Sequence, residues 1–589
     1  MLPLRKTQTE RGTKMANNPK ITYRKVNHVS STKEMLARAK EEVGDKVAYR
    51  YFAGTEIESA TYAEFYARVM ALGAALDELG QISSHIVMIG ANSYDYITLY
   101  LTALAGDGVF VPVDKELPPE DYLHVIDDSD ATIVFCDDKY EETFRENEDK
   151  IPKVTHIVNL SRTEDDGKYL SFAKLLVRGY ELEKQNPGVL LSHVRNPEEL
   201  ALLVYTSGTT GLAKGVMLSE KNLLSCACYG LEISTIYDTG LSVLPYHHTY
   251  EAVTGILVAI LYHSTLCIND NLRHVLRNLQ LFKPDYIYVV PAFAEMFYKK
   301  IWSNAKASGK EFFLKAAIAS SNGLRKIGVD KRASLFKNIH EAFGGNLKKI
   351  VCGGAPLRPE LGAFFDAIGI PIFNGYGITE CSPLVSVNQA ESNDCSTVGI
   401  PLRCVNVTIE DPDEDGNGEI CVKGDTVMLG YYKRPDFTAE VLMPDGTFHT
   451  GDFGHINDKG QLVITGRKKN LIVLDNGKNI FPEEIENYLS GIPYVQEVLV
   501  FGIKNAEGEE VALGAEIFLS EEKVKELKVT EPEAALKKDV AKACRHLPSY
   551  KRIAKIFIRE IPFEKTTTNK IKRSSSLYAF APVKTETEA

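Results

Sequence analysis

Several things are missing from this 589-residue sequence, and each absence removes a class of protein. Its ten cysteines contain no CxxC pair, the closest two being Cys226 and Cys228. Neither a zinc ribbon nor a disulfide framework is indicated, and a reducing compartment fits. A basic excess is also missing: 68 Lys and Arg against 79 Asp and Glu leave a net charge of −11, which disfavours nucleic acid as a partner. No apolar run reaches the roughly 20 residues that span a bilayer. The most apolar, Ala252–Tyr262 (AVTGILVAILY), has the length of a buried helix. The opening MLPLRKTQTERGTK lacks the apolar stretch of a secretory signal, nothing before Ile21 reads as core, and Met15 offers an alternative start. No internal repeat or low-complexity block stands out. With 44% hydrophobic and 25% charged residues, the expectation is a globular, cytoplasmic protein with no integral membrane segment.

What is present alternates. TYAEFYARVMALGAALDELG (61–80) and YITLYLTALAGDG (96–108) carry apolar residues at helical spacing, while HIVMIGAN (85–92), VFVPV (109–113) and ATIVFCDD (131–138) read as buried strands. DYIYVVPA (285–292), LKKIVCGGAP (347–356) and IPIFNGYG (370–377) add strands running into glycine-rich turns. This repetition predicts α/β architecture with parallel sheets, whose ligands gather at strand C-termini. After about residue 390, NVTIE, GEICVKG, GTFHTGDFGHIN and QLVITG are short strands that suggest a small antiparallel β unit. Beyond the charged connector GRKKN (466–470) the tail has its own α+β pattern, and residues 574–589 read as a frayed end. The expected division is an N-terminal extension (1–44), a large region of α/β subdomains plus the β unit (45–466), and a small mobile α+β C-terminal domain (467–589).

The sharpest local feature is LLVYTSGTTGLAKGVMLS (202–219). An apolar strand leads into Thr206, Ser207, Gly208, Thr209, Thr210 and Gly211, followed by Lys214. Glycines let backbone N–H groups crowd an anion, hydroxyls donate further hydrogen bonds, and the lysine adds a point charge, a combination suited to polyphosphate. The spacing is not that of a Walker A loop.

This stretch resembles the phosphate-binding motif of the adenylate-forming enzymes, which include acyl-CoA synthetases, luciferases and peptide-synthetase adenylation domains. Five further stretches resemble that superfamily's motifs in order: CGGAPL (352–357), NGYGITECSP (374–383), TGDFGHI (450–456), ITGRKKNLIVLDNGKNIFPEEIE (464–486) and FEKTTTNKIKR (563–573). The resemblance covers roughly residues 45–575, and the 464–486 stretch looks closest to bacterial long-chain fatty acyl-CoA synthetases.

The resemblance implies a chemistry in which a carboxylate is joined to the α-phosphate of ATP with loss of pyrophosphate, and the acyl group then passes to the thiol of coenzyme A. It implies phosphate contacts from Thr206, Ser207, Gly208, Thr209, Thr210, Gly211 and Lys214, and adenine contacts from Gly354, Ala355, Pro356, Asn374, Gly375, Tyr376, Gly377 and Thr379. Asp452 and Arg467 would hold the ribose and phosphates, and Glu380 with Thr206 would ligate Mg2+. Lys570 would bridge the carboxylate and the α-phosphate during adenylation; Asn569 stands before it where the family usually has glycine. Lys469 would be the hinge about which the small domain turns, and Gly477 would border the coenzyme A tunnel. His248 would gate the acid pocket, with the apolar run after it as a wall, which makes a medium- to long-chain fatty acid the expected substrate. Three alternatives remain: a fatty acyl-AMP ligase or acyl-carrier-protein synthetase, a peptide-synthetase adenylation domain, and a non-catalytic nucleotide-binding regulator. The second calls for a carrier domain after Lys570, and none is expected here from the short stretch that follows. Transient membrane contact is a further expectation for a fatty substrate, although no basic amphipathic helix is evident in the sequence. Among the residues themselves, His247, His248 and Glu251 offer no third metal ligand at sensible spacing.

Overall fold

Two large sheets carry the fold, each built because buried, β-branched strands alternate with helices that cover both faces. The computed structural model describes residues 21–206, 213–475, 478–505, 508–565 and 571–578. An eight-stranded sheet has Val109–Val113, His85–Ile89, Ile133–Cys136, His156–Asn159 and Tyr169–Ser171 in parallel. On its other side lie Leu200–Thr206, then antiparallel Lys214–Ser219 and Gly430–Tyr431. A nine-stranded sheet runs Thr239–Ser242, Tyr286–Val289, Lys349–Cys352 and Ile372–Gly377 in parallel, and antiparallel pairings close both of its edges.

Helix starts follow local chemistry. The helix Tyr62–Glu78 begins at a reciprocal cap between Thr61 and Glu64, and Glu220–Ile233 at one between Ser219 and Asn222. The second cap fixes where that helix leaves the strand Lys214–Ser219, and so which of its residues face the nine-stranded sheet. Thr32–Val43, within the stretch expected as an extension, is a helix that packs Met35, Leu36 and Ala39 into the main core. The apolar run expected as one buried helix is buried, but its first part, Tyr250–Leu257, is wound as a π-helix before Val258–Leu261 returns to α. Such i→i+5 winding is rare and frequently lies at functional sites.

The small β unit takes the expected antiparallel form, Val405–Glu410, Gly418–Gly424, Phe448–Ile456 and Leu462–Arg467 in that order. After it, Val495–Lys504, Glu510–Leu519 and Ile553–Arg559 form a three-stranded sheet under the helices Pro482–Leu489 and Pro532–Ala543. These elements share a separate core that includes Ile485, Leu489, Val500, Ile517, Leu536 and Val540. Residues 574–578, expected to fray, are instead tied down. Glu516 is fully buried in an ion pair with Arg559, and its carboxylate also accepts from the Ser576 hydroxyl at 2.6 Å and the Leu577 amide at 3.2 Å. A buried carboxylate needs all its lone pairs satisfied, which recruits the chain end.

Candidate functional site

The site forms where strands of both sheets end. Thr206 closes the strand Leu200–Thr206 and pairs in register with Lys214 at the start of the next strand. Ser207, Gly208, Thr209, Thr210 and Gly211 lie outside the described residues, as do Gly477 and Lys570. The residues flanking the last of these, Lys565 and Ile571, pair as an antiparallel bridge. Lys214 sits in an aromatic corner, its ammonium 3.6 Å from the Phe437 ring centroid and 5.2 Å from that of Tyr431.

The turns expected to hold adenine are shaped by glycine. Gly354 has φ +81°, a conformation that favours glycine. A Cβ on Gly377 would lie 2.0 Å from the carbonyl oxygen of Pro383, so only glycine allows that approach. Asn374 uses its amide to donate to the Thr397 carbonyl at 3.1 Å and is buried in supporting the turn.

Tyr376, Asp452 and Arg467, assigned separate tasks on sequence, are brought together. The Tyr376 hydroxyl donates to Asp452 Oδ2 at 2.6 Å, and Arg467 Nε lies 2.7 Å from Asp452 Oδ1. Strand register explains the second contact, since Asp452 and Arg467 are directly opposed across Phe448–Ile456 and Leu462–Arg467. Asp452 is 3% exposed, and bonds to a buried carboxylate contribute about 1.5–3 kcal/mol each. Burial, then the Asp452 charge, raises the Tyr376 phenol well above its ordinary value, so the ring stays neutral.

Thr379 and Glu380 lie in the 3₁₀ turn that follows. The Tyr431 hydroxyl donates to Glu380 Oε1 at 2.9 Å, and burial raises the Glu380 carboxyl. The resemblance implies a magnesium ion here. The side-chain donors at hand, a carboxylate and the Thr206 hydroxyl, are hard oxygens of the kind Mg2+ takes, and a nearby cation would restore the ionised form that burial opposes. The residues therefore fit the ion.

A small cavity of about 80 Å³ opens beside the glycine turns. One wall is Tyr288 and Val351 from neighbouring strands; another is Tyr250 and Thr254 from the π-helical segment with Val258 just after it; Cys226 and Leu231 close the side. Its lining is mostly apolar, as in small-molecule sites. His248 stands at the entry to the helical segment, with its ring 4.2 Å from that of His247, and is not among the lining residues. Glu251 turns away: it is buried and accepts from the Ser242 hydroxyl at 2.6 Å, and burial pushes its carboxyl up to about 8. No acidic group from this segment is offered to a substrate amine. The sequence missed Tyr431 and Phe437 around Lys214, which carry no motif, and the cavity walls, which read as core.

Comparison with known proteins settles the family. The model of the AMP-binding enzyme family matches residues 36–432, and that of its C-terminal domain matches 469–583. The chain belongs to the AMP-binding enzymes. It is 31% identical over 471 residues to long-chain-fatty-acid–CoA ligase 5 of Rattus norvegicus, covering 75% of this chain and 69% of the relative. Against long-chain-fatty-acid–CoA ligase FadD15 of Mycobacterium bovis the figures are 29% over 479 residues, with 78% of each chain covered. A solved anthranilate CoA ligase, AuaEII, bound to anthranoyl-AMP shares the fold of this AMP-binding enzyme with a TM-score of 0.73 at 19% identity, over 93% of this chain and 97% of that one. Among the described residues no helix is long and apolar enough to cross a membrane.

Proposed function

We propose that this protein is an AMP-forming acid–thiol ligase that activates a medium- to long-chain fatty acid with ATP and transfers the acyl group to coenzyme A. The observation that carries the reading is the apolar cavity opening onto the turns Gly353–Gly354 and Gly375–Gly377, next to the Tyr376–Asp452–Arg467 cluster. An acid in that cavity presents its carboxylate to a nucleotide held at the strand ends.

In the first step a carboxylate oxygen attacks the α-phosphorus and pyrophosphate leaves. Two anions must be brought together, so positioning and positive charge do most of the work. Lys214 holds the departing phosphates, and Lys570 neutralises the carboxylate and α-phosphate as the bond forms. Asp452 accepts from the ribose hydroxyls, exchanging its bond from Tyr376, whose ring is then free to lie against adenine. Asn374, Ala355 and Pro356 support the adenine turn with Gly354, Gly375, Gly377 and Thr379. Glu380 and Thr206 would hold Mg2+, which would supply charge neutralisation to the nucleotide. In the second step the thiolate of coenzyme A attacks the acyl carbonyl and AMP leaves. We take residues 467–589 to turn about Lys469 between the steps, removing Lys570 and bringing Gly477 to the thiol's path, with His248 at the acid entrance.

The ten cysteines are all free, which supports a reducing, cytoplasmic location. Transient membrane contact has support from the helix Glu311–Lys326, where Phe312 is 77% and Phe313 69% exposed. Residues 296–345 around it carry ten Lys or Arg against three Asp or Glu in a chain of net charge −11. The test of function is acid-dependent pyrophosphate exchange over C2 to C18 acids, followed by thioester detection with coenzyme A or a carrier protein. Exchange rising with chain length and a coenzyme A thioester are expected. No exchange with any acid removes the enzyme reading, and transfer to a carrier protein alone changes the acceptor.

A further inference from the structure

The cavity is not apolar throughout. Side chains alternate between the faces of a strand, so the residues two before Tyr288 and Val351 point the same way and lie about 7 Å further from the glycine turns. Those residues are Tyr286 and Lys349, paired in register as Tyr288 and Val351 are. Lys349 is 4% exposed, with its ammonium 4.3 Å from the Phe373 ring centroid. It donates to Ser234 Oγ at 2.7 Å and to the Thr235 carbonyl at 2.8 Å, and among the described residues no ion pair includes it. Ser234 caps the helix Glu220–Ile233 at its C-terminal end and lines the cavity. Its oxygen receives the lysine, and no described residue takes its hydroxyl proton.

A buried ammonium with no carboxylate against it is costly. Burial, then the Arg24 charge, lowers Lys349 to about 7, while Glu391 raises it slightly. Within the sheet the charge meets only the Phe373 ring among the described residues, and its hydroxyl partner there, Ser234, opens into the substrate cavity at the end remote from the nucleotide.

We infer that Ser234, positioned and polarised by Lys349, is a subsite for an oxygen at the far end of the acid. The inference rests on the cavity being the acyl pocket. It narrows the substrate class to acids whose distal carbon bears a hydroxyl or a second carboxylate, at the one chain length that reaches Ser234. A plain chain of that length leaves the hydroxyl without an acceptor and sets a methyl against it. Shorter plain acids stop in the apolar part and are indifferent to the pair.

The experiment compares kcat/KM in pyrophosphate exchange for plain, ω-hydroxy and dicarboxylic acids from C6 to C16, on the wild type, Ser234→Ala and Lys349→Met. At one or two adjacent lengths the ω-oxygenated acid is expected to be preferred over the plain acid by roughly tenfold to hundredfold, as for sites built to bond a substrate hydroxyl. The preference falls to about one in Ser234→Ala. In Lys349→Met the hydroxy preference weakens and the dicarboxylate preference disappears. A merely structural lysine would leave the ratio unaltered, and Ser234→Ala keeps the test intact if the lysine variant does not fold. In the wild type, the preference for dicarboxylate over hydroxy acid drops as pH rises through neutrality and Lys349 loses its proton. An ω-to-plain ratio that is the same in wild type and Ser234→Ala at every length overturns the subsite. Exchange with plain acids in that case leaves the ligase reading standing, whereas absence of exchange with all acids defeats both.

Discussion

The two ends of the cavity handle charge in opposite ways. At the nucleotide end, Asp452 holds Arg467 at 2.7 Å and the Tyr376 hydroxyl at 2.6 Å, and Arg467 remains 43% exposed on its side chain. Those partners can be exchanged for a ligand without leaving a charge uncovered. At the far end, Lys349 is buried without an opposite charge against it and is pushed toward its neutral form, as is Glu251 in the core beside the cavity. The mouth is built for gathering anions and the back for excluding water. A group's role can be judged by which of these regimes it sits in.

The largest effect that sharpens this contrast belongs to the mouth. Lys570→Ala should reduce acyl-AMP formation on the order of 10²- to 10³-fold, the scale for losing a group that stabilises charge in the transition state. Thioester formation from supplied acyl-AMP should be spared. Single-turnover assays of the two half-reactions decide it, and equal loss in both would end the assignment of separate steps to the two orientations of the C-terminal region. A smaller loss, about 10- to 100-fold in kcat/KM for ATP, is expected for Asp452→Ala, which removes the partner of both Arg467 and Tyr376. Tyr376→Phe keeps the ring and gives up only the hydroxyl bond, so it should cost under about tenfold. A Tyr376→Phe variant as impaired as Asp452→Ala would show that the bond, and not the carboxylate, organises the nucleotide end.

The mouth was legible in the sequence because its chemistry needs residues that are poor core material. Thr206, Gly354, Gly377, Asp452 and Arg467 announce themselves by hydroxyls, glycines and charges where strands end. The parallel sheets were legible for a related reason: strands buried on both faces read as continuous apolar runs. The back of the cavity was hidden because its walls serve as core as well. Tyr288 and Val351 are ordinary strand residues, and Cys226 belongs to a buried helix. Lys348 and Lys349 show the limit most directly. They are adjacent and chemically identical, yet alternation along the strand sends Lys348 out to Asp285 at 2.7 Å and Lys349 in toward Ser234. A pair of lysines does not say which one is buried until the strand's neighbours are placed. The π-helical winding of Tyr250–Leu257 was equally hidden, since its apolar pattern is that of any buried helix.

The smallest effect tests the buried carboxyl beside the cavity through stability. Glu251 has a folded-state carboxyl pushed up to about 8 by burial, against an ordinary value of 4.5. Below the ordinary value both folded and unfolded chains hold the proton, and the group's contribution is fully present. Between about 4.5 and 8 the unfolded chain releases the proton and the folded chain keeps it, so stability is lost as pH rises across that window, by up to about 1.4 kcal/mol per pH unit. His247 acts with the opposite sign: burial and then the neighbouring His248 lower it to about 3, so its contribution is lost as pH falls. Lys349 leaves pH 5 to 7 largely unaffected, because folded and unfolded chains both keep that proton over most of the interval. Comparing wild type with Glu251→Gln therefore isolates the one carboxyl. Urea midpoints between pH 5 and 7 should fall less steeply, or rise, in Glu251→Gln, since the amide can still accept from Ser242 and has no proton to lose. Parallel pH profiles for the two proteins would mean that Glu251 is ionised in the folded state, and that the core beside the cavity tolerates charge as the mouth does.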